Sequence, residues 1–402
     1  MRYGRIVHDV DLVVVGAGPT GIAAGLTAHR RGLDVLVVDK ATFPRPKTCG
    51  DGLTTAALRT FETLGFDASA LDGYQPVTDV VVRSPSGRRV DLPLPTTGAY
   101  AGIVARAVLD AAFVEHGRQR GVDVRDGMAV VEVTPAADGI ATVLDDDTVV
   151  RARFVVAADG HFSPVRRLLD PDRPADLGRW HASRQYFARV EDPRLWVLFE
   201  PELLPGYAWV FPLPGARANV GFGMRRGAGV HGRDLAARWR ALLGSPALRS
   251  VLGPDAKPEG SPRAWPIPTG PDLLALTGPR VLFAGDAARV ADPMTGEGIA
   301  QGLITGVLAA ETVATTREDE VGPSYRRAVT VELGRDLRFA DLLGRIMTST
   351  IGARGAVRAA GLTTWTRRNF ARWLFEDYPR ALMFTPARWR SRMLRGPGAY
   401  RR

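Results

Sequence analysis

One stretch narrows the possible folds more than any other part of the 402-residue chain: DVDLVVVGAGPTGIAAGLTAHRRGLDVLVVDK, from Asp9 to Lys40. Leu12 to Val15 is a continuous apolar run, as a strand buried on both faces requires. Gly16, Gly18 and Gly21 follow with the spacing G-x-G-x-x-G, and Ile22 to Arg30 reads as a helix. Val35 to Val38 is a second buried strand that ends on Asp39. Glycine suits a tight turn whose backbone must approach a pyrophosphate, and the helix start faces that charge. An acid at the end of the second strand accepts hydrogen bonds from a ribose and disfavours a 2′-phosphate. The segment predicts dinucleotide binding, by FAD or NAD rather than NADP.

Two later segments repeat the logic. ARFVVAADGHFSPVRRLL is an apolar strand that ends at Asp159-Gly160. RVLFAGDAARVADPMTGEGIAQGLITGVLAAETV is another, followed by Gly285-Asp286, a loop with Gly296 and Gly298, and a helix of small residues. A Gly-Asp at a strand end can hold a polyol hydroxyl, and a glycine-rich helix start offers amides to an anionic ring. No second G-x-G-x-x-G stands in a strand–helix frame, so no separate nicotinamide domain is expected. Between these pieces lie short alternating strands (Val80 and Val82; Tyr186, Ala188 and Val190), with SPSG and LPGARA as hairpin turns. They predict an antiparallel sheet carrying Trp196, Phe199, Tyr207, Trp209, Phe211 and Phe222, as ordinary core or as the wall of an apolar site.

The fold class expected is α/β: a Rossmann-like FAD-binding domain interrupted by an antiparallel β-sheet substrate domain, with a C-terminal helical region. The boundaries expected are 1–75, 101–175 and 269–330 for the first, 76–100 and 176–268 for the second, and 331–402 for the third. Cys49 is the one cysteine, so no internal disulfide is possible. No signal peptide and no run of roughly 18 apolar residues is visible, which predicts a cytoplasmic protein with no spanning helix. No metal site is expected. The net charge of +10 is uneven: from Arg335 to Arg402 there are 15 arginines and 4 acids. That segment, with Trp365, Phe370, Trp373, Phe375, Tyr378 and Trp389, reads as a helical face packed on the domain, a lid, or a peripheral membrane contact through residues such as Arg388, Arg390 and Arg392. It carries no nucleic-acid motif, and none is expected to bind.

VVVGAGPTG…VVDK, AADG and AGDAA…P…GEGI together resemble the FAD-dependent group of aromatic hydroxylases, flavin halogenases and geranylgeranyl reductases. Two stretches narrow it. FPRPKTCGDGLT is similar to the cysteine loop of the geranylgeranyl reductase family. LPGYAWVFPLPGARANVGFG resembles its Y-x-W-x-F-P motif and the Asn-Val-Gly strand after it, here Asn219 to Gly221. The likeness covers about residues 9 to 315. It implies pyrophosphate contacts from Thr20 and the glycines around it, and an adenosine ribose on Asp39. It implies phosphate contacts from Arg106 and a backbone contact of Ala129 with adenine. It implies a ribityl chain on Asp286, with Gly298 and Ile299 at the flavin carbonyl edge and Cys49, Gly50 and Gly52 beside the ring. Blander readings stand beside these: Arg106 as a helix-surface charge, Ala129 as a strand residue, Asp159 as a helix N-cap.

Cys49 has three readings: a small buried hydrophobe, a redox thiol without a partner, or a proton donor or shape element at the flavin face. Arg45 and Lys47 would depress its pKa if close. The function expected is flavin-dependent reduction of a double bond in a prenyl chain, of a polyprenyl quinone or a geranylgeranyl lipid. Cys49 is the candidate acid with Tyr207 behind it, Trp209 and Phe211 contact substrate, and the electron donor is NAD(P)H. The alternative is a monooxygenase of an aromatic or terpenoid metabolite, and a third class is a basic binding protein that keeps FAD structurally.

Overall fold

The structure, a computed structural model, describes residues 6–95, 100–172, 178–226, 234–270, 276–389, 391, 393 and 394. Its central sheet is built on the first apolar run. The strand Ile6–Val15 lies between Val149–Ala157 and Val35–Asp39, parallel to both. Val281–Phe283 and Asp123–Asp126 extend the parallel order outward. Leu12, Val13 and Val14 are fully buried, as a strand inside a sheet covered on both faces must be. The first helix runs from Pro19 to Arg30, three residues earlier than the periodicity suggests. Pro19 is the reason: its fixed φ and missing N–H suit a first helical position, so the turn ends at Gly18.

The helix Ile299–Thr315 crosses this first helix closely. A Cβ on Gly306 would stand 2.2 Å from the Thr20 carbonyl oxygen. One on Gly302 would stand 2.4 Å from Thr20 Oγ1. The small residues of that helix are therefore a packing requirement that also fixes where its N-terminus points.

The second sheet has seven strands in the order Lys257–Ile267, Trp180–Ala188, Arg217–Arg225, Tyr207–Leu213, Leu195–Leu198, Asp79–Arg83, Arg89–Pro93. Both expected hairpins are present, over 79–93 and 207–225. The sheet is mixed rather than purely antiparallel. Leu195–Leu198 runs parallel to Asp79–Arg83, because that contact joins two separate excursions from the nucleotide-binding part. The alternation of Val80 and Val82 is also incomplete, since Val81 is buried too. Val80 and Val82 enter one core with Leu92, while Val81 enters another with Trp196 and Phe222.

The helix Val321–Glu332 packs into the core of the first sheet, and the basic region after it forms helices Gly334–Ile346, Thr350–Ala360 and Thr364–Leu374. Ala371, Val357 and Phe375 share a core with Val90 and Leu92. Arg372 is fully buried, with its Nε 2.6 Å from Asp377 Oδ2. Arg388 is paired with Glu332 and Asp336. The segment is thus a wall of the molecule, and its arginines are not uniformly a solvated charge. Arg390 and Arg392 lie outside the described residues. Among those described, no helix is long and apolar enough to cross a membrane.

Candidate active site

A cavity of about 1090 Å³ runs from the glycine turn to the C-terminal helices. At its first end, Gly16 has φ +102°, and a Cβ there would lie 2.4 Å from the Ala158 carbonyl oxygen. Gly18 faces the cavity, with Arg45 Nη2 the nearest atom to a built Cβ, at 3.5 Å. Gly21 does not reach the cavity. It is buried under the turn, where any Cβ would collide with the Gly16 carbonyl at 1.7 Å, so its role is packing. Asp39 accepts the Ala17 N–H at 2.8 Å and the Ala41 N–H at 2.9 Å, which fixes its carboxylate at the cavity edge. Arg45 stands 3.9 Å from Asp39 and 3.4 Å from Asp110. It belongs to the nucleotide end, not to the thiol. Arg106 is no surface charge: it is buried and bidentate to Asp110, at 2.7 and 2.8 Å. Ala129 lines the wall, but its N–H donates to Asp145 Oδ1 and its carbonyl accepts from Asp145 N–H, so its backbone amide is already engaged.

The middle of the cavity holds Asp159, Asp286 and the start of the small-residue helix. Asp159 Oδ2 accepts the Val165 N–H at 2.9 Å, while Ser163 is the actual N-cap of that helix. Asp159 Oδ1 is buried without a hydrogen-bond partner, and burial pushes this carboxyl up to about 6. Asp286 Oδ1 lies 3.4 Å from a Cβ built on Gly298. The Ile299 N–H, expected to face a flavin carbonyl, donates to Glu297 Oε1 at 2.9 Å.

Cys49 lies opposite. Its loop is held by Asp51, a buried residue at φ +67°. Asp51 Oδ2 accepts from Tyr186 Oη at 2.7 Å and from Asn219 Nδ2 at 2.7 Å. Asn219 Nδ2 also donates to the Cys49 carbonyl at 2.8 Å, and Asn219 Oδ1 accepts from Trp209 Nε1 at 3.1 Å. Gly50 and Gly52 rest on the Phe211 ring, with room for no more than a tight Cβ at 3.3 and 3.4 Å. The cysteine loop and the Tyr-x-Trp-x-Phe strand are therefore one unit. Burial pushes the Cys49 thiol up to about 11, against the opposing pull of Arg106. The expected depression by Arg45 and Lys47 does not occur. Lys47 lies 4.5 Å over the Trp265 ring and is itself lowered by burial. Tyr207 donates its hydroxyl proton to the Thr295 carbonyl and is held high, first by burial and then by Glu297 and Asp292.

Beyond Trp209 and Phe211 the cavity turns apolar. Leu195, Val197 and Phe199 face it from one side of their strand, while Trp196 points into the core behind. Leu343, Ile346, Trp365, Phe370 and Trp373 line the far end.

Comparisons with known proteins fit this arrangement. The FAD binding domain family matches residues 9–191. The chain is 34% identical over 357 residues to a menaquinone reductase of Mycolicibacterium smegmatis, covering 84% of each protein. It is 30% identical over 354 residues to a digeranylgeranylglycerophospholipid reductase of Methanopyrus kandleri, covering 83% of this chain and 85% of that protein. The chain belongs to the geranylgeranyl reductase family. It is an FAD-dependent oxidoreductase. Its fold matches a geranylgeranyl bacteriochlorophyll reductase-like protein from Thermoplasma acidophilum, with TM-score 0.78 and 22% identity over 94% of this chain and 98% of that one. It also matches a flavin-dependent brominase, with TM-score 0.72 and 21% identity over 92% of this chain and 93% of that one.

The residues present fit FAD on their own terms. A turn in which a side chain at Gly16 would clash, an open approach at Gly18 and the unpartnered Asp159 Oδ1 all face the same elongated space as Asp39 and Asp286. Of the site residues expected from the sequence, every one but Gly21 lines this cavity: Gly16, Gly18, Thr20, Asp39, Cys49, Gly50, Gly52, Arg106, Ala129, Asp159, Tyr207, Trp209, Phe211, Asp286, Gly298 and Ile299. Sequence reasoning passed over Arg45 as a nucleotide-end cation, Asp51 as the anchor of the cysteine loop, and Glu297. The Gly-Asp-Gly around position 51 was a usable signal, since an acid between two glycines suits a strained turn.

Proposed function

We propose that this flavoprotein reduces a carbon–carbon double bond in the prenyl chain of a lipid, a polyprenyl quinone of the menaquinone type or a geranylgeranyl lipid. The observation that carries this reading is the continuity of the cavity. The space beside Cys49, Tyr207, Trp209 and Phe211 opens without a break into the apolar chamber of Phe199, Leu343, Ile346, Phe370 and Trp373. A long hydrocarbon gains about 25 cal/mol for each Å² of apolar surface it buries there. The names of the relatives agree, since both are reductases of prenylated lipids.

FAD bound along Gly16, Asp39, Asp159 and Asp286 supplies the hydride. The chain does the rest. Trp209 and Phe211 hold the cysteine loop at the junction of the two halves, so that the alkene stops beside Cys49. The aromatic walls exclude water, which an isolated alkene requires because it is a poor hydride acceptor. Cys49 is protonated at neutral pH, so it presents a thiol rather than a thiolate. Tyr207 fixes the loop that ends in Glu297 through Thr295. A nicotinamide is the reductant we assign to the cofactor, as a diffusing molecule.

The substrate must leave a bilayer, so we place a peripheral membrane contact at the mouth of the apolar chamber. Ile346 and Trp365 line the chamber and are 51% and 56% exposed. Leu342 and Ile351, on the same and the next helix, are exposed as well, and Arg354 and Arg358 are exposed beside them. Apolar insertion with a basic fringe suits an anionic surface. The function is tested by incubating the FAD-loaded enzyme with a prenyl quinone and a reductant without oxygen. A product that gains two hydrogens supports it; a product that forms only in air and gains oxygen makes the enzyme a monooxygenase.

A further inference from the structure

Glu297 sits where the apolar chamber meets the cofactor end of the cavity, at the start of the helix Ile299–Thr315. The groups that face it come from four parts of the chain. Asp292 belongs to its own loop, Glu376 and Arg380 to the segment after the last long helix, Tyr207 to the second sheet and Cys49 to the loop opposite. Three carboxyls here share one guanidinium.

Arg380 is already spoken for. Its Nε is 2.8 Å from Asp292 Oδ2, and its Nη2 is 3.5 Å from Glu376 Oε1. Asp292 Oδ1 accepts three further donors, from Met294 N, Thr295 N and Thr295 Oγ1, at 2.8 to 3.0 Å. Glu376 accepts from Gln301 Nε2 at 2.8 Å and Thr54 Oγ1 at 3.1 Å. Both have strong donors, although burial raises the Glu376 carboxyl as well. Glu297 has backbone amides alone, from Ile299 and Ala300. Arg380 balances one negative charge, so the buried site drives its other carboxyls, Glu297 and Glu376, toward their neutral forms. Of these two, Glu297 has no ionic partner of its own and is the one that lines the cavity, so it is the one that can hand a proton to a substrate.

We propose that Glu297 is the acid of this site, the group whose O–H breaks to form the second C–H bond when a substrate double bond is reduced. The balance is simple. One alkene carbon receives the hydride, the other receives the Glu297 proton, and the carboxylate left behind is reprotonated from solvent for the next turnover. This rests on the reductase reading and names its proton source. Burial, then the charge of Glu376, pushes the Glu297 carboxyl up to about 8, whereas Cys49 stands near 11. An acid close to working pH transfers its proton more readily, so Glu297 outranks the thiol. Cys49 then shapes the pocket against which the alkene rests.

The sign of the pH dependence follows. The acid is competent when protonated, so the rate is highest at low pH and falls as pH rises through about 8. The test uses the FAD-loaded enzyme and Glu297→Gln. An infrared pH titration of the wild type should show a protonated carboxyl at neutral pH that ionises on the alkaline side and is missing from Glu297→Gln. Glu297→Gln should keep its FAD, lose roughly 10²-fold or more in the rate of prenyl reduction, and lose the alkaline decline. Glu297→Asp should restore part of the rate. The proposal is overturned if the carboxyl band persists in Glu297→Gln, if that variant keeps the wild-type rate and pH profile, or if it simply sheds FAD. A wild type that shows the band yet reduces no prenyl quinone removes the substrate reading instead, and the band alone then supports Glu297.

Discussion

Asn219 shows how one side chain ties the site together. It donates to Asp51 and to the Cys49 carbonyl, and it accepts from Trp209. Replacing it with alanine leaves a buried carboxylate, a carbonyl and an indole N–H short of partners, at a cost of roughly 1–3 kcal/mol for each group left unsatisfied. Asn219→Ala should therefore lower the thermal midpoint clearly and loosen the cysteine loop, with FAD still bound at the distant Asp39 end. Flavin content and the unfolding temperature of the purified variant check this; an unchanged midpoint would contradict it. At this scale the sequence was informative where chemistry is local. Gly16, Gly18 and Asp39 lie within one strand–turn–helix–strand unit, so spacing alone assigned them. Asp51, Asn219 and Tyr186 meet only through the fold, and no spacing rule announces their contact. Glu297 was legible as part of GEGI but not as an acid, because what raises it is its burial and Glu376, which arrives from the distant segment after the helix Thr364–Leu374.

Elements were legible to the degree that their burial is one-sided or complete. The strand Val35–Asp39 is buried throughout and was found as an unbroken apolar run. The strand Leu195–Leu198 is also buried throughout, but its two faces serve different purposes, cavity and core, and its parallel neighbour comes from a distant part of the chain. That pairing had no local signature. The C-terminal helices were visible by periodicity, but their arginines suggested a charged exterior. Arg372 and Asp377 instead form a fully buried pair beneath them. Arg372 also donates to the Met393 carbonyl at 2.7 Å, so the pair fastens that segment. Breaking a buried pair on one side strands a charge and costs about 3–5 kcal/mol. Asp377→Ala should accordingly destabilise the protein by about that amount in denaturant unfolding and weaken closure of the chamber wall at Phe375 and Tyr378. A loss below about 1 kcal/mol would mean that solvent reaches the pair.

The whole molecule is organised around one cavity with a cofactor end and a lipid end, and its charge is distributed to match. Of the exposed arginines near the mouth, Arg354 and Arg358 stand among exposed apolar side chains, while Arg388 is spent on Glu332 and Asp336. Each basic group near an anionic bilayer contributes about 1 kcal/mol, screened by salt. The protein should co-sediment with anionic vesicles at low salt and be released at high salt. Arg354→Glu with Arg358→Glu should weaken that binding, and Ile351→Ser should weaken it without changing the salt dependence. Binding that survives all three substitutions would move the contact elsewhere. The central claim, hydride delivery to a prenyl double bond, is met most directly by one measurement: the absorbance of the fully reduced flavoprotein, held without oxygen, after a prenyl quinone whose head group is already reduced is added. The account predicts that the oxidised flavin spectrum returns in step with saturation of one double bond. A flavin that stays reduced until air is admitted would contradict it.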